Sequence, residues 1–395
     1  MRMITECEVC DGTELISFLD LGAQPMCDDL VPIGSPQRPA AYPLRLGACP
    51  RCLTVHQEVQ VEKQLLFPPT YHYRAAMTQD VLDGMAELVA TVEGLVGGLP
   101  GKQVLDIGCN DGSLLAIFKS KGARTFGIEP TGAAEDAKMR VDQVLNQFFD
   151  AEAVEAYLAG NPKPDVITFT NVFAHIEDLQ GVIANLKRLM KPDTKLVIEN
   201  HYLGAVIERN QFDTFYHEHP RTYSYRSFEH IAGKLGRSIT HVEFPPRYNG
   251  NIRIVISEGE AAPRASVNEE GYLEALRAMP ELVDKARAEI RGRLQALAAQ
   301  HGPLPGKAFP GRAAILTNAF GLDADIIDAT YERSASPKIG HYVPGSSIEI
   351  RDEAEFFASR LQAPVLVNFA WHIHGEIERY MRGKGYAGEI VPLFQ

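Results

Sequence analysis

Nowhere in its 395 residues does the chain hold an apolar run near the ~20 residues needed to span a bilayer. Its opening stretch, Met1-Arg2-Met3-Ile4-Thr5-Glu6-Cys7, lacks the hydrophobic centre of a secretion signal, so a cytoplasmic location is expected. Basic charge is also in deficit. Lys and Arg number 39 against 51 Asp and Glu, for a net charge of -12. That balance excludes broad binding to nucleic acid or anionic membranes and leaves room only for a local basic pocket. No internal repeat and no low-complexity segment appears. With 45% hydrophobic and 23% charged residues, the composition is that of an ordinary globular protein, long enough for two or three domains.

Cysteine is scarce, and five of the six lie within the first 52 residues. Cys7-x-x-Cys10 and Cys49-x-x-Cys52 form two knuckles, flanked by turn-forming Asp11-Gly12 and Pro50-Arg51. Two residues between thiolates let both sulfurs face one ion, and a second pair closes a four-thiolate tetrahedron, the form of a structural zinc site. Paired disulfides are disfavoured without signs of export. A redox pair would want a thioredoxin-like βαβ, and neither knuckle has one. Cys27 reads as a spare thiol and Cys109 as a residue chosen for size. Between the knuckles lie short strands and turns with too few apolar residues for a core, so the ion acts as a staple.

The stretch Val104-Leu105-Asp106-Ile107-Gly108-Cys109-Asn110-Asp111-Gly112 reads as strand and glycine turn, and Leu114, Leu115, Ile117 and Phe118 continue at helical spacing. This is the entry to a doubly wound sheet, with a ligand beyond the strand's C-terminal end. The glycines are not spaced Gly-x-Gly-x-x-Gly, and no Lys-Ser/Thr follows. Carboxylates here would repel a pyrophosphate and suit a ligand with an amine and ribose hydroxyls. Glu129, closing the strand Thr125–Ile128, is placed to accept from a ribose. A βαβ unit without cofactor is the competing reading. Asp106, Gly108, Asn110, Asp111, Gly112 and Glu129 together resemble the cofactor motifs of class I S-adenosylmethionine (SAM) methyltransferases.

Further strands are expected at 141–144, 165–171 and 195–200, with Gln147 and Phe148 after the first, where an adenine would be flanked, and Asn171 ending the second. The linker 63–74 is aromatic, with Pro68-Pro69 excluding helix. A run of unusual chemistry follows the fifth strand: Asn210-Gln211-Phe212-Asp213-Thr214-Phe215-Tyr216-His217-Glu218-His219-Pro220. His217-x-His219 could ligate a metal, but no third ligand stands at a characteristic spacing. Histidines hydrogen-bonded within a domain interface are the other ordinary reading. A hairpin near 241–256 closes the sheet, and a helix over 270–300 is expected to break or restart at Pro280. A third α/β unit has strand candidates Ala314–Leu316, Asp325–Asp328, Pro364–Asn368 and Ile390–Pro392.

The order of parts resembles the nucleotide-sugar C-methyltransferases, the family that includes the C-3-methyltransferase of tetronitrose biosynthesis. The resemblance covers nearly the whole chain and rests on the two knuckles, Asp106-x-Gly108-x-Asn110-Asp111-Gly112, Asn171-Val172-Phe173-Ala174-His175, Tyr216-His217-Glu218-His219 and Tyr342-Val343-Pro344-Gly345. It implies a zinc-binding domain over 1–70, a Rossmann-like SAM domain over 71–262 and a C-terminal Rossmann-like half domain, binding nucleotide sugar, over 263–395. It further implies a dTDP-linked 4-keto-deoxysugar as substrate and His219 as base, with Tyr216, Glu218, His175 and Tyr71 or Tyr73 around the sugar. Two stretches depart from the family's pattern: Gly306-Lys307-Ala308-Phe309-Pro310-Gly311, where a Gly-Tyr-Gly-Ala-like loop is usual, and Pro220-Arg221, where Phe-Ser is usual. Methylation of oxygen or nitrogen on a related sugar, and a SAM-fold protein that only binds a partner, are the alternatives. A monomer is compatible with the sequence.

Overall fold

The computed structural model describes residues 1–68, 74–77, 79–262 and 267–394. Its centre is a seven-stranded sheet built from β1 (Gln103–Ile107), β2 (Arg124–Ile128), β3 (Gln143–Leu145), β4 (Val166–Thr170), β5 (Lys195–His201), β6 (Ser238–Glu243) and β7 (Asn251–Ser257). The spatial order is β6-β7-β5-β4-β1-β2-β3. β1 to β5 run parallel, and β7 lies antiparallel between β5 and β6. β1 and β4 read as near-continuous apolar runs because helices cover both faces. On one face the helix Gln79–Val96 buries Val81, Met85, Leu88, Val89 and Val92, a period of 3.6, against Leu114, Leu115 and Phe118. The other face carries the helices Ala151–Gly160, Leu179–Leu189 and Tyr225–Lys234. The chain reverses direction across the sheet between β1 and β4, which fixes the crevice beyond their C-terminal ends as the ligand position of this architecture.

The flanking units are interwoven with this core. The strands Ile16–Pro25, Ala41–Ala48 and Val55–Gln57 form an antiparallel sheet whose fourth member, Arg221–Thr222, comes from beyond β5. The C-terminal unit pairs Leu304–Lys307, Ile327–Glu332, Glu349–Asp352, Val365–Asn368 and Glu389–Pro392 in parallel. Its far edge continues antiparallel through His341–Tyr342 to Val31–Pro32 of the N-terminal unit. Strand-length elements are thus exchanged in two directions.

Two sequence expectations are corrected here. Ala314–Leu316 lies in the helix Ala313–Ala319, and the strand of that unit is Leu304–Lys307, whose Pro305 and Gly306 disguise it. Small apolar residues over so short a run do not separate strand from helix. The helix Tyr272–His301 passes through Pro280 without a break. Buried Leu276, Met279 and Val283 anchor the turns on either side, and that packing outweighs the missing hydrogen bond. Among the described residues, no helix is long and apolar enough to cross a membrane.

Candidate active site and metal centre

The two knuckles fold alike. Asp11 and Leu53, each following the second cysteine, take left-handed backbone conformations. Their amides donate back to Cys7 O (3.0 Å) and Cys49 O (2.9 Å). The four sulfurs are buried and lie within 4.8 Å of one another, with Cys7–Cys52 at 3.4 Å and Cys10–Cys49 at 3.5 Å. All are free thiols. A tetrahedral zinc with bonds of about 2.3 Å separates its sulfurs by about 3.8 Å, so the set fits that ion. His56 Nε2 stands 3.4 Å from Cys7 Sγ, and Thr54 Oγ1 3.0 Å from Cys52 Sγ, giving the thiolates polar company.

At the crevice, Asp106 and Glu129 close β1 and β2 and are almost wholly buried. Thr168 Oγ1 donates to Asp106 at 2.6 Å. Burial first, and the charge of Glu129 besides, outweigh that bond and push the Asp106 carboxyl up to about 7. Glu129 accepts from Asn110 N at 2.9 Å and from Thr131 Oγ1 at 2.6 Å. Neighbouring strand ends carry buried polar atoms with no partner among the described residues, Thr170 Oγ1 on β4 and the Asn200 amide on β5. Two carboxylates and orphaned neutral dipoles suit an amine and a ribose diol.

The loop residues divide their work. Gly108, Asn110, Gly112 and, across the crevice, Asn171 all have positive φ. A Cβ on Gly108 would stand 2.6 Å from Val172, so the space left by that glycine is filled by protein. Asn110 Oδ1 and Asp111 Oδ2 accept from the amides of Ala75 and Ala76, both at 2.9 Å, tying the segment before the first helix to the loop. A Cβ on Gly127 would lie 2.4 Å from Cys109 Sγ, in keeping with Cys109 as a size-selected residue. Beyond β3, Gln147 and Phe148 are half-buried, with Lys63 Nζ 4.6 Å above the Phe148 ring.

The histidine-rich run packs beyond the C-terminal ends of β4 and β5, where it meets His175 and His201. His219 Nδ1 lies 3.1 Å from Thr214 O and its Nε2 2.9 Å from the Tyr216 hydroxyl. A carbonyl can only accept, so Nδ1 carries the proton and Nε2 holds the free pair. Burial, with the neighbouring His175, His201 and Arg312, drives His219 well below its usual range, and the imidazole is neutral at pH 7. His175 stacks near it, ring centroids 4.8 Å apart, and donates from Nδ1 to Glu218 O. Burial chiefly, with Asp28 nearby, raises the Glu218 carboxyl to about 8, and its Oε2 is buried without a partner among the described residues. His217 turns the other way, Nε2 at 3.2 Å from Tyr42 O, so His217 and His219 do not share a face. Among the described residues, only the four cysteines cluster as metal ligands. Tyr71 and Tyr73 lie outside the described residues. From the same arm, Phe67 meets the His175 ring edge-on at 5.1 Å.

Several residues at this place escape a sequence reading. Arg312 reaches in from the C-terminal unit and binds Asp213 with two bonds, 2.8 and 2.7 Å. The guanidinium lies over Trp371, whose Nε1 also donates to Asp213. Arg312 and His201 converge on Gln211 Oε1 at 3.2 and 3.4 Å. Among the described residues His372 Nδ1 is buried without a partner, and burial beside Arg312 depresses both His201 and His372 to about 3. Arg312 and Trp371 follow the strands Leu304–Lys307 and Val365–Asn368, the crossover pair of the third sheet. Recognising 304–307 as a strand would have pointed to them.

Three family models match the chain in succession: a zinc binding domain over 7–67, a methyltransferase domain over 73–242 and a C-methyltransferase C-terminal domain over 264–391. The C-methyltransferase NovU of Streptomyces niveus is 27% identical over 370 residues, 89% of this chain and 86% of that protein. The three models in succession and the similarity to NovU along nearly the whole chain support a NovU-like C-methyltransferase family. The ubiquinone biosynthesis O-methyltransferase of Klebsiella pneumoniae is 35% identical over 105 residues, 24% of this chain and 41% of that protein. Among solved structures, the magnesium protoporphyrin IX methyltransferase ChlM of Synechocystis PCC 6803 with bound SAH is 20% identical, covering 45% of this chain and 83% of that one at a TM-score of 0.35. The C-methyltransferase described here has SAM as its cofactor and zinc at its four thiolates.

Proposed function

We propose that this C-methyltransferase acts on the carbon beside the ketone of a nucleotide-linked 4-keto-deoxysugar, with His219 as general base. The observation that carries the reading is the imidazole locked by Thr214 O, its Nε2 pair against the Tyr216 hydroxyl, next to His175 beyond the end of β4. When bound, SAM supplies an electrophilic methyl group at the β1–β4 crevice. A neutral histidine can take the α-proton, and the C–H competes with Tyr216 for the Nε2 pair. The displaced phenol is then free to donate to the oxygen on which enolate charge develops. Glu218, protonated at neutral pH, and His175 support this pocket. Arg312, Trp371 and His372, at the crossover of the third sheet, are suited to the nucleotide-bearing end of the substrate.

The test is incubation with SAM and a set of dTDP-linked 4-keto-deoxysugars, read by mass spectrometry, with exchange of the α-hydrogen in D2O followed separately. Exchange is expected for carbon methylation and not for methylation of oxygen or nitrogen. His219→Asn should lower kcat by ~10²–10⁴, the usual worth of a general base, and leave SAM affinity unchanged. If His219→Asn exchanges and methylates at the wild-type rate while His217→Asn does not, the assignment is wrong.

A further inference from the structure

The carbonyls of the turn that carries His219 are held from outside the methyltransferase core. Gln57 closes the strand Val55–Gln57, which starts three residues after Cys52 and sits on the zinc knuckle through Thr54. Its Nε2 donates to two carbonyls of the turn at once, Tyr216 O at 2.6 Å and His219 O at 2.8 Å. Its backbone amide donates to Pro220 O at 2.9 Å. The side chain is buried, and its Oε1 has no partner among the described residues. Only a doubly donating group satisfies two carbonyls that converge on one buried point, and an amide NH2 is the neutral side-chain group that does so. The turn itself is tight, His219 N to Tyr216 O at 2.7 Å, so displacing either carbonyl turns the imidazole relative to the Tyr216 ring.

We propose that Gln57 is a positioning residue: the zinc-binding unit, through this one carboxamide, sets where the His219 imidazole stands. The zinc domain thereby acts on the geometry of the site as well as on the stability of its own fold. The consequence for rate rests on the reading of His219 as base; the consequence for the imidazole does not.

The experiment uses the full-length, zinc-loaded enzyme with histidines labelled at Cε1. Gln57→Met keeps volume and removes both donors, and Gln57→Asn is a milder second variant that keeps the amide but shortens its reach. Zinc content and SAM affinity identify folded protein, and His219→Asn assigns the His219 resonance. The groups facing His219 are Tyr216 on its own turn, His175, His201 and Arg312. In the wild type its resonance is expected to titrate well below the ordinary histidine range, because the ring is buried. In Gln57→Met it should shift and begin to titrate within that range, and in Gln57→Asn it should shift less. The kcat of Gln57→Met should fall by ~10–10²-fold, the scale of a misplaced catalytic group. A His219 resonance unmoved in both variants overturns the proposal, whatever the rate does. A displaced resonance with kcat unchanged leaves Gln57 as the positioning residue and refutes His219 as the base.

Discussion

Asp106→Asn separates the energetic effect of a buried carboxylate from its use in binding. The carboxyl is 3% exposed, and among the described residues Thr168 Oγ1 is its hydrogen-bond donor. Burial raises it to about 7, against about 3.9 in an unfolded chain. The folded state therefore holds this proton more tightly than the unfolded state. Stability contributed here is full below about pH 4, declines as the pH rises toward 7 and is then lost. About three pK units at 1.36 kcal/mol each give up to about 4 kcal/mol. Asparagine accepts from Thr168 with the same reach and never ionises. Without cofactor, Asp106→Asn should be nearly equal to the wild type in stability near pH 4 and more stable by up to about 4 kcal/mol at pH 8.5. Urea unfolding at the two pH values measures this.

The same carboxyl gives a binding signature. The ammonium and sulfonium of SAM favour the ionised form of Asp106, so cofactor binding at pH 6 should release a proton. Calorimetric enthalpies in buffers of different ionisation heat should then differ for the wild type and coincide for Asp106→Asn. The variant should bind more weakly by about 1.5–3 kcal/mol, the worth of a hydrogen bond to a charged group. A stability difference that does not change with pH, together with a buffer-independent enthalpy in the wild type, would refute the reasoning.

Metal analysis should find one zinc per chain, and Cys49→Ser should abolish it and lower the unfolding temperature of the N-terminal unit. Zinc-free protein with its four thiols intact and an unchanged melt would exclude a structural ion. Gly108→Ala should destabilise by about 1–2 kcal/mol from its left-handed backbone alone, with a further loss from the Val172 side chain 2.6 Å from the new methyl. Val172→Ala in the same chain should recover only the second part, so a full rescue by denaturant titration would show that backbone conformation is not the constraint.

What the sequence makes legible is local. The knuckles are read from two-residue spacings, and the β1 loop and Glu129 from a strand–turn–helix pattern. Interactions within a few residues decide both. The exchanged strands Arg221–Thr222 and Val31–Pro32 are two residues long and carry no periodicity, and distant partners alone make them strands. Arg221 illustrates the limit. In sequence it stands out only as part of the departure Pro220-Arg221, yet it is fully buried, binding Glu8 of the first knuckle, Tyr223 and the carbonyls of Ile176 and Glu177 just after His175. Gln57 and His372 are equally silent in sequence, since an isolated polar residue acquires its partners only from the tertiary fold.

These long-range contacts explain why the run between β5 and Arg221 can be irregular and still hold a definite shape. At its front, Asp213 is wholly buried and receives Arg312 and Trp371 from the third unit. At its back, Gln57 and Glu8 of the first unit hold the turn and the strand that follows it. A buried carboxylate stripped of its guanidinium leaves an uncompensated charge worth roughly 3–5 kcal/mol, so the front end resists release as strongly as a core contact. His175, from the methyltransferase unit itself, binds the middle through Glu218 O. With its contacts drawn from the N-terminal unit, the methyltransferase core and the C-terminal unit, the position of His219 depends on all of them being packed together. A site of this kind is assembled by the packing of segments far apart in sequence, so a change in how the first or the third unit packs acts on the run that carries His219.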